Sequence, residues 1–446
     1  MTIALRPPGP QGSLLLGNMA AFQRDALEFI TACARQHGDV VRTRFLYSRV
    51  YFLNHPDHIE YVLQTNNRNF IKPVSLRTPF FVRIAGRGLL TSEGDFWLKQ
   101  RRLAQPAFHR ERINSYGEVM VAYAERMLDG WRDGETHDIH QEMMRLTLEI
   151  VARTLFDADV TDAADEVGEA LEVVVEPFAS QATIKWILDN HLPTNGNRRF
   201  HRAVDRLDRI IYRIISERHQ SKRDHGDLLS MLLQATDEAG VHMTDQQLRD
   251  EVITLFLAGH ETTALALTWT WYLLGQHSEI EARLHAELQT VLGGRNPVME
   301  DIARLPYTEM VIKEAMRLYP PGWGIGREAL KDCEIGGYRV PAGAQVFMFQ
   351  WVVHRDERFF ERANEFQPER WISDSTKRLP RFAYFPFGGG PRGCIGNAFA
   401  MMEAALLLAT IAQRFRLKLV SDHPVTPLPT ITLRPRSGIK VVLEKR

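Results

Sequence analysis

The 446-residue chain carries 55 Lys and Arg against 55 Asp and Glu. A net charge of zero gives a nucleic-acid or anionic-membrane binder no global electrostatic footing, so any charged partner must meet a local patch. The 44% hydrophobic and 25% charged composition is that of an ordinary globular protein, and three cysteines cannot build a disulfide framework.

The opening MTIALRPPGPQG has no apolar run long enough for a signal peptide or a membrane anchor, so a cytoplasmic protein is expected. The segments DVVRTRF (39–45) and RVYFLN (49–54) are β-branched and aromatic enough to pair as a hairpin. From about Asp95 to Leu318 the pattern is mostly helical. EVGEALEVVVEPF, VDRLDRIIYRIISERHQ and DLLSMLLQATDEAG each repeat apolar residues at helical spacing. The longest helix begins at MTDQQLRDEV, where Thr244 and Gln247 fit a capping box, and runs on through AGHETTALALTWTWYLLGQH. His260 and Glu261 in mid-run make it too polar to span a membrane, so it is expected to be buried in the protein's centre. After Pro320, YRVPAGAQVFMFQW reads as strand, turn, strand, and ITLRPRSGIKVVLEK as a hairpin turning at Ser437-Gly438. The fold class is mainly α with small β-sheets (α+β). Strand-rich stretches are expected at about 35–70, 325–355 and 425–446, and helical ones at about 75–320 and 395–420. No linker is visible, so residues 1–446 read as one domain.

The stretch FPFGGGPRGCIGNAFA (385–400) surrounds Cys394 with glycines, while Cys33 and Cys333 are remote in sequence. Cys394 reads as a buried structural cysteine, a nucleophile or a metal ligand. Neither the clustered ligands of a zinc site nor the Cys-x-x-Cys-His of covalent haem attachment is present. One thiolate suffices as protein ligand when a macrocycle supplies the others. Such a site needs small residues for close approach, here Gly388, Gly389, Gly390, Gly393 and Gly396. It also gains from a following helix N-terminus, which favours thiolate over thiol.

FGGGPRGCIG resembles the cysteine-loop signature of the cytochrome P-450 family: Phe387, two residues, Gly390, one, Arg392, one, Cys394, one, Gly396. KEAMRLYPP resembles the family's Glu-x-x-Arg motif with Glu314 and Arg317, and FQPERW supplies its third member, Arg370. The implied role is a buried cluster that locks the chain before the cysteine loop. AGHETT resembles the oxygen-activation motif: Thr262 would steady the activated oxygen and Glu261 relay protons from water. His260 is read as an orienting or solvent-side residue. WLKQRR resembles the helix that meets the haem propionates, through Trp97 and Arg101, with Arg327 and Arg392 completing the set. The resemblance covers nearly the whole chain and points to a soluble bacterial-type member with a long central helix over the haem.

The resemblance implies haem b (iron protoporphyrin IX) with the Cys394 thiolate as axial ligand, and Phe387 and Gly396 beside it. The implied activity is a monooxygenase that uses dioxygen to hydroxylate or epoxidise a mid-sized apolar substrate, such as a fatty acid or terpenoid. No reductase module follows before Arg446, so a ferredoxin and its reductase, or another separate redox partner, would supply electrons. The basic run KQRRLAQPAFHRER offers Arg102, Arg110 and Arg112 as a ferredoxin dock. By resemblance the substrate pocket is lined by Phe80, Phe81, Leu89, Leu255, Phe256, Ala258, Gly322, Trp323, Ile325 and Ile431. A haem-thiolate sensor without turnover, or a peroxide-using enzyme of the same fold, is the alternative. The Glu261-Thr262 pair argues against both, because a sensor needs no proton relay and peroxide users typically lose the pair.

Overall fold

In the computed structural model the described residues are 6–109, 114–157, 167–171, 173–174, 194–221, 227–236, 240–372 and 378–446. They fall into two compact units, Met1–Thr78 with Glu314–Cys394, and Pro79–Lys313 with Ile395–Arg446.

The first unit is built on a mixed sheet. Strands β1 (Val40–Phe45) and β2 (Ser48–Leu53) form the expected hairpin, pairing Val40 with Leu53 through Phe45 with Ser48. The unit's other strands are β3 (Phe70–Ile71), β5 (Ile325–Ala329), β6 (Cys333–Ile335), β7 (Tyr338–Val340) and β8 (Gln345–Met348). The sheet order is β1-β2-β8-β5-β3, with β2 and β8 parallel and the remaining neighbours antiparallel. The strands of YRVPAGAQVFMFQW therefore exist but do not pair with each other, since β7 pairs with β6 and β8 with β2 and β5. Val40, Leu53, Val346 and Met348 bury one face of the sheet with Ile59, Val62, Phe382 and Phe385.

The second unit is helical. Its axis is the central helix Asp245–Gln276, opened by a full capping box: the Gln247 amide N–H donates to the Thr244 hydroxyl at 3.2 Å and the Thr244 N–H to Gln247 Oε1 at 2.8 Å. Helices Ile139–Phe156, Asn195–Ser221, Leu228–Gln234, Ser278–Leu292 and Asn397–Arg414 pack around it. A helix covered on all sides needs apolar residues on every face, as this one has. No helix among the described residues is long and apolar enough to cross a membrane. DLLSMLLQATDEAG is helical only as far as Gln234, because Ala235 turns extended and Thr236 bridges His242. Within EVGEALEVVVEPF (166–178), residues 167–171 and 173–174 are described and helical, and the other six lie outside the described residues.

The unit's strands are β4 (Thr136–Asp138), β9 (Phe415–Leu419), β10 (Pro427–Pro429), β11 (Leu433–Pro435) and β12 (Lys440–Lys445), in the orders β4-β12-β9 and β10-β11. β4 and β9 fall within stretches expected to be helical. The C-terminal hairpin is also a misreading: β11 and β12 flank the turn at Ser437-Gly438 but enter different sheets. Gly438 adopts φ 70°, and a Cβ there would lie 1.9 Å from the Asp138 carboxylate, so the turn packs directly on that side chain. The next amide, of Ile439, donates to Asp138 Oδ1 at 3.0 Å and leads the chain along β4.

Candidate active site

The cysteine loop is shaped by close backbone approach. Gly390 has φ 67°, and a Cβ there would lie 1.7 Å from the Leu63 carbonyl oxygen, so only glycine fits. The Cys394 amide donates to the Phe387 carbonyl at 2.9 Å, closing a tight loop on which Cys394 is exposed. A Cβ on Gly389 would lie 2.3 Å from a ring carbon of Phe382, so this glycine is packed against a side chain where Gly390 is packed against backbone. These two glycines therefore serve protein packing, a reason different from the cofactor approach inferred from sequence. Gly396 caps the helix Asn397–Arg414, three residues before which Cys394 sits.

The loop is anchored through a buried ionic cluster. Glu314 accepts from Arg317 at 2.8 and 2.9 Å, from Arg370 Nε at 2.8 Å, from the Trp371 indole at 2.9 Å and from the Gln367 amide at 3.0 Å. Arg317 spends its remaining donors on the carbonyls of His354, Ala363 and Glu365. With both side chains fully buried, the carboxylate has a donor on each oxygen, as a buried charge requires. His354 extends the chain of contacts, because its Nε2 accepts from the Phe385 amide at 3.0 Å where the cysteine loop begins. Burial, then the charges of Arg317 and Arg355, hold His354 well below the usual histidine range, so it stays a neutral acceptor. The sequence reading assigns no role to His354, which lies in no motif, or to Trp371, which FQPERW contains but only as the neighbour of Arg370.

Between Leu248 and Trp271 the central helix is buried everywhere except at Leu257, Ala258, Gly259 and Thr262. This is a window one turn long, lined mainly by small side chains. The Thr262 hydroxyl donates to the Ala258 carbonyl at 2.7 Å and that of Thr263 to the Gly259 carbonyl at 3.2 Å, while Thr147 from a neighbouring helix reaches the His260 carbonyl at 2.9 Å. In the first unit the exposed Cys394 is a reachable thiol, as a sulfur ligand to a flat macrocycle must be. No cluster of His, Cys, Asp and Glu among the described residues could hold a metal by itself.

Glu261 does not reach into this window as a free carboxylate. Its Oε1 accepts from Arg434 Nε at 2.6 Å and from the Thr432 hydroxyl at 2.5 Å, both on or beside β11. Burial raises its pKa, but Arg434 and these hydrogen bonds outweigh burial and hold it below the usual carboxylate range. Of the two readings of His260, orienting or solvent-side, the second is corrected: the residue is buried, and burial pushes it down to about 4, so it is neutral. The neighbouring His140 is likewise driven to about 4 by burial and by Arg434.

The other expected residues divide between the units. In the first, Arg327 is buried on β5 with its guanidinium on the Gly326 carbonyl at 2.8 Å, and Phe387 and Arg392 are half-buried in the cysteine loop. Gly322 and Ile325 are half-buried, and Trp323 stacks on Phe349 with ring centroids 5.5 Å apart. In the second, Trp97 is buried and Arg101 half-buried one turn later on helix Gly94–Ala104. Phe80 and Phe81 are buried on Pro79–Ala85, with Phe80 stacked on Phe200 at 4.2 Å. Phe256 tilts against Phe156 at 5.9 Å, Leu255 is buried, Ala258 is exposed, and Ile431 is 41% exposed at the β10–β11 tip.

Sequence reasoning missed the latch on Leu89. The amides of Arg87 and Leu89 donate to Asp250 at 2.8 Å and Glu251 at 3.1 Å, which pins this loop to the central helix. It also missed Glu403, fully buried on helix Asn397–Arg414 and pushed up to about 8 by burial.

The sequence profile described as Cytochrome P450 matches residues 7–443. Among curated proteins the chain is 42% identical to cyclooctatin synthase of Streptomyces melanosporofaciens, over 95% of this chain and 92% of that one. It is 39% identical to cyclooctat-9-en-7-ol 5-monooxygenase of the same organism, over 94% and 89%. Pentalenene oxygenase of Streptomyces avermitilis is 36% identical over 94% and 93%. Among solved structures, retinoic acid bound cyanobacterial CYP120A1 superposes with a TM-score of 0.89 at 26% identity, covering 99% of both chains. The cytochrome P450DA heme domain does so with 0.90 at 27%, covering 100% and 98%. Whole-length identity of this order, joined to a cysteine loop and a helix window of this geometry, makes the chain a member of the cytochrome P450 family, a monooxygenase that holds haem through the thiolate of Cys394.

Proposed function

We propose that this monooxygenase inserts oxygen into a terpenoid skeleton, with electrons from a ferredoxin and its reductase in the cytoplasm. The observation that carries the reading is the 36–42% identity, over 94–95% of the chain, to relatives named for cyclooctatin, cyclooctat-9-en-7-ol and pentalenene. A mid-sized apolar ring system also suits the apolar residues proposed for the pocket, Phe80, Phe81, Leu89, Leu255, Phe256, Ala258, Gly322, Trp323, Ile325 and Ile431.

Haem supplies the oxygen activation when bound. The chain's own residues then have separable tasks. Cys394 is the sulfur ligand, favoured as thiolate by the helix that follows it. Arg101, Arg327 and Arg392, with Trp97, are placed here as partners of the propionates, because guanidinium forks suit carboxylates. Phe387 and Gly396 complete the cysteine side. Thr262 is the hydroxyl at the window, and its back-bond to the Ala258 carbonyl leaves its oxygen lone pairs to accept. Glu261 is the proton carrier. Held deprotonated by Arg434, it must leave that guanidinium to pick up a proton and deliver it. Arg102 is proposed as a ferredoxin contact; Arg110 and Arg112 lie outside the described residues.

The test is a spin-state titration of the holoprotein with cyclic sesquiterpenes and diterpenes and with fatty acids. Product analysis with ferredoxin, reductase and NADPH follows. Terpenes are expected to shift the Soret band and to yield hydroxylated product. A shift with fatty acids alone would overturn the substrate assignment. Thr262→Ala is expected to keep binding but divert reducing equivalents away from product, with Thr262→Ser restoring the yield. Unchanged coupling in Thr262→Ala would remove that residue from the proton path. Arg102→Glu is expected to slow ferredoxin-supported turnover and weaken its salt dependence.

A further inference from the structure

The three most exposed large apolar side chains among the described residues, Leu14, Leu15 and Tyr47, sit at one built corner with Leu16 beside them. Leu14 is 94% exposed, Leu15 85%, Leu16 42% and Tyr47 90%. They are not on a loose tail. Ser13 and Gly17 exchange backbone hydrogen bonds at 2.9 and 3.0 Å, so residues 14–16 form a closed turn. That turn is stitched to the tip of the β1–β2 hairpin, with the Leu46 amide on the Leu16 carbonyl at 3.1 Å and the Asn18 amide on the Arg44 carbonyl at 2.7 Å. The Arg44 guanidinium ties the two loops together through the carbonyls of Ser13, Leu14 and Leu46. Gly17 has φ 61°, and a Cβ there would lie 2.0 Å from the Arg44 carbonyl oxygen. The fold therefore spends a tight, glycine-dependent arrangement on holding leucines and a tyrosine outward. Isolated exposed apolar residues need no account, but a contiguous rigid group marks an interaction site.

The charge around the corner says what it meets. Arg44 and Arg49 are directly opposed across the hairpin, a like-charge pair that costs stability in a ladder. Burial raises the Tyr51 hydroxyl above its ordinary value, and the charges of Arg42, Arg49, Arg6 and Arg339 act together against that rise. No carboxylate among the described residues pairs with Arg42, Arg44 or Arg49, and the nearby Asp39 is taken by Arg358. A neutral chain thus concentrates cations behind an apolar tip. A second copy of this chain is a poor occupant, because a symmetric contact would press two arginine collars together. Four side chains also bury far less than the roughly 1,200 Å² of a stable interface. An anionic bilayer fits both halves: leucines enter the acyl boundary, tyrosine sits at the headgroup level, and guanidiniums meet phosphates.

We propose that the Leu14–Leu15–Tyr47 tip and the arginines behind it form a peripheral docking site for an anionic phospholipid bilayer. The site needs no spanning helix and binds reversibly, by shallow insertion plus charge. It stands on the surface alone and does not depend on which substrate the enzyme takes.

The experiment is flotation of the holoprotein with vesicles of phosphatidylglycerol and phosphatidylcholine, or of phosphatidylcholine alone, at low and high salt. The wild type is expected to float with the anionic vesicles at low salt and to be released by salt. Leu14→Ser/Leu15→Ser is expected to lower partitioning by about tenfold or more, and Arg49→Glu to reduce it and flatten its salt dependence. Both variants should retain the haem-thiolate carbonyl spectrum, because the replaced side chains lie on the surface; Arg44 is left intact because it ties the turn. No flotation, or flotation equal in wild type and the leucine variant, overturns the proposal. So would a concentration-dependent dimer abolished by the leucine substitutions, which would reassign the corner to a second copy.

Discussion

Replacing Arg434 by Gln isolates the force that sets the state of Glu261. The pair is buried, with 7% of the Glu261 side chain and 18% of that of Arg434 exposed. Removing the guanidinium leaves a carboxylate whose remaining partner is the Thr432 hydroxyl. Breaking a buried pair costs about 3–5 kcal/mol, and the partial exposure of Arg434 favours the low end, about 3 kcal/mol near neutral pH. The pH dependence carries the sharper test. In the wild type Glu261 is held below its ordinary value of 4.5, so its stabilisation is present above that value and is lost as pH falls through the folded-state value. Without Arg434, burial dominates and reverses the direction: the folded variant holds a proton more tightly than the unfolded chain does. The variant's deficit must therefore shrink on acidification. Relief of Arg434's charge on His140 acts in the same sense. Urea unfolding of wild type and Arg434→Gln at about pH 8 and about pH 5, followed by tryptophan fluorescence, reads the two deficits. A deficit equal at both values, or below about 1 kcal/mol at pH 8, would falsify the assignment of Arg434 as the group that keeps Glu261 ionised.

Glu314→Ala leaves Arg317 buried with no carboxylate and should cost about 3–5 kcal/mol in denaturant unfolding; a loss under about 1 kcal/mol would mean that carbonyls alone satisfy the guanidinium. Gly390→Ala places a methyl group against the Leu63 carbonyl and a side chain at φ 67°, so the carbon monoxide complex should lose its thiolate-type Soret band. Retention of that band at wild-type intensity would show that the loop can move away. Glu403 holds its proton up to about 8 in the folded state against an ordinary 4.5, so its contribution is full below 4.5 and is lost as pH rises toward 8. Glu403→Gln should remove that loss and gain on the wild type by about 1.4 kcal/mol per pH unit across this window; parallel stability profiles would contradict it.

Much of this site was legible in the sequence because its signals are local. The capping box at Thr244 sets where the central helix starts, and the fixed spacing around Cys394 marks the loop. Glu314 and Arg317, three residues apart, already share a helix face. What stayed hidden depends on partners far away in the chain. Nothing near Glu261 announces Arg434, because that contact exists only once the β10–β11 turn lies against the central helix. The Ser437-Gly438 turn was visible but its strands' partners were not, since alternation identifies a strand and not its neighbour. For His260 the sequence leaves an orienting and a solvent-side reading open, and only burial in the folded protein removes the second. In a helix covered on every side, no polar face exists for it to occupy. Glu403 was lost inside an apolar helix, where a single acid reads as a surface residue.

The mixed sheet has a consequence for how the protein is made. β1 and β2 leave the ribosome early, yet β2 is completed on its open edge by β8, with Val50 beside Gln345. At roughly 5–20 residues per second, the wait between them is on the order of 15–60 s. Through that interval Val50, Tyr51, Phe52 and Leu53, all buried in the finished protein, belong to a two-stranded ribbon with an open edge, and such a ribbon is marginally stable in water. The nascent chain is therefore most open to chaperones and to edge-to-edge misassembly while the inserted helical unit is being synthesised, and slowing translation between the two halves should lower the yield of folded enzyme.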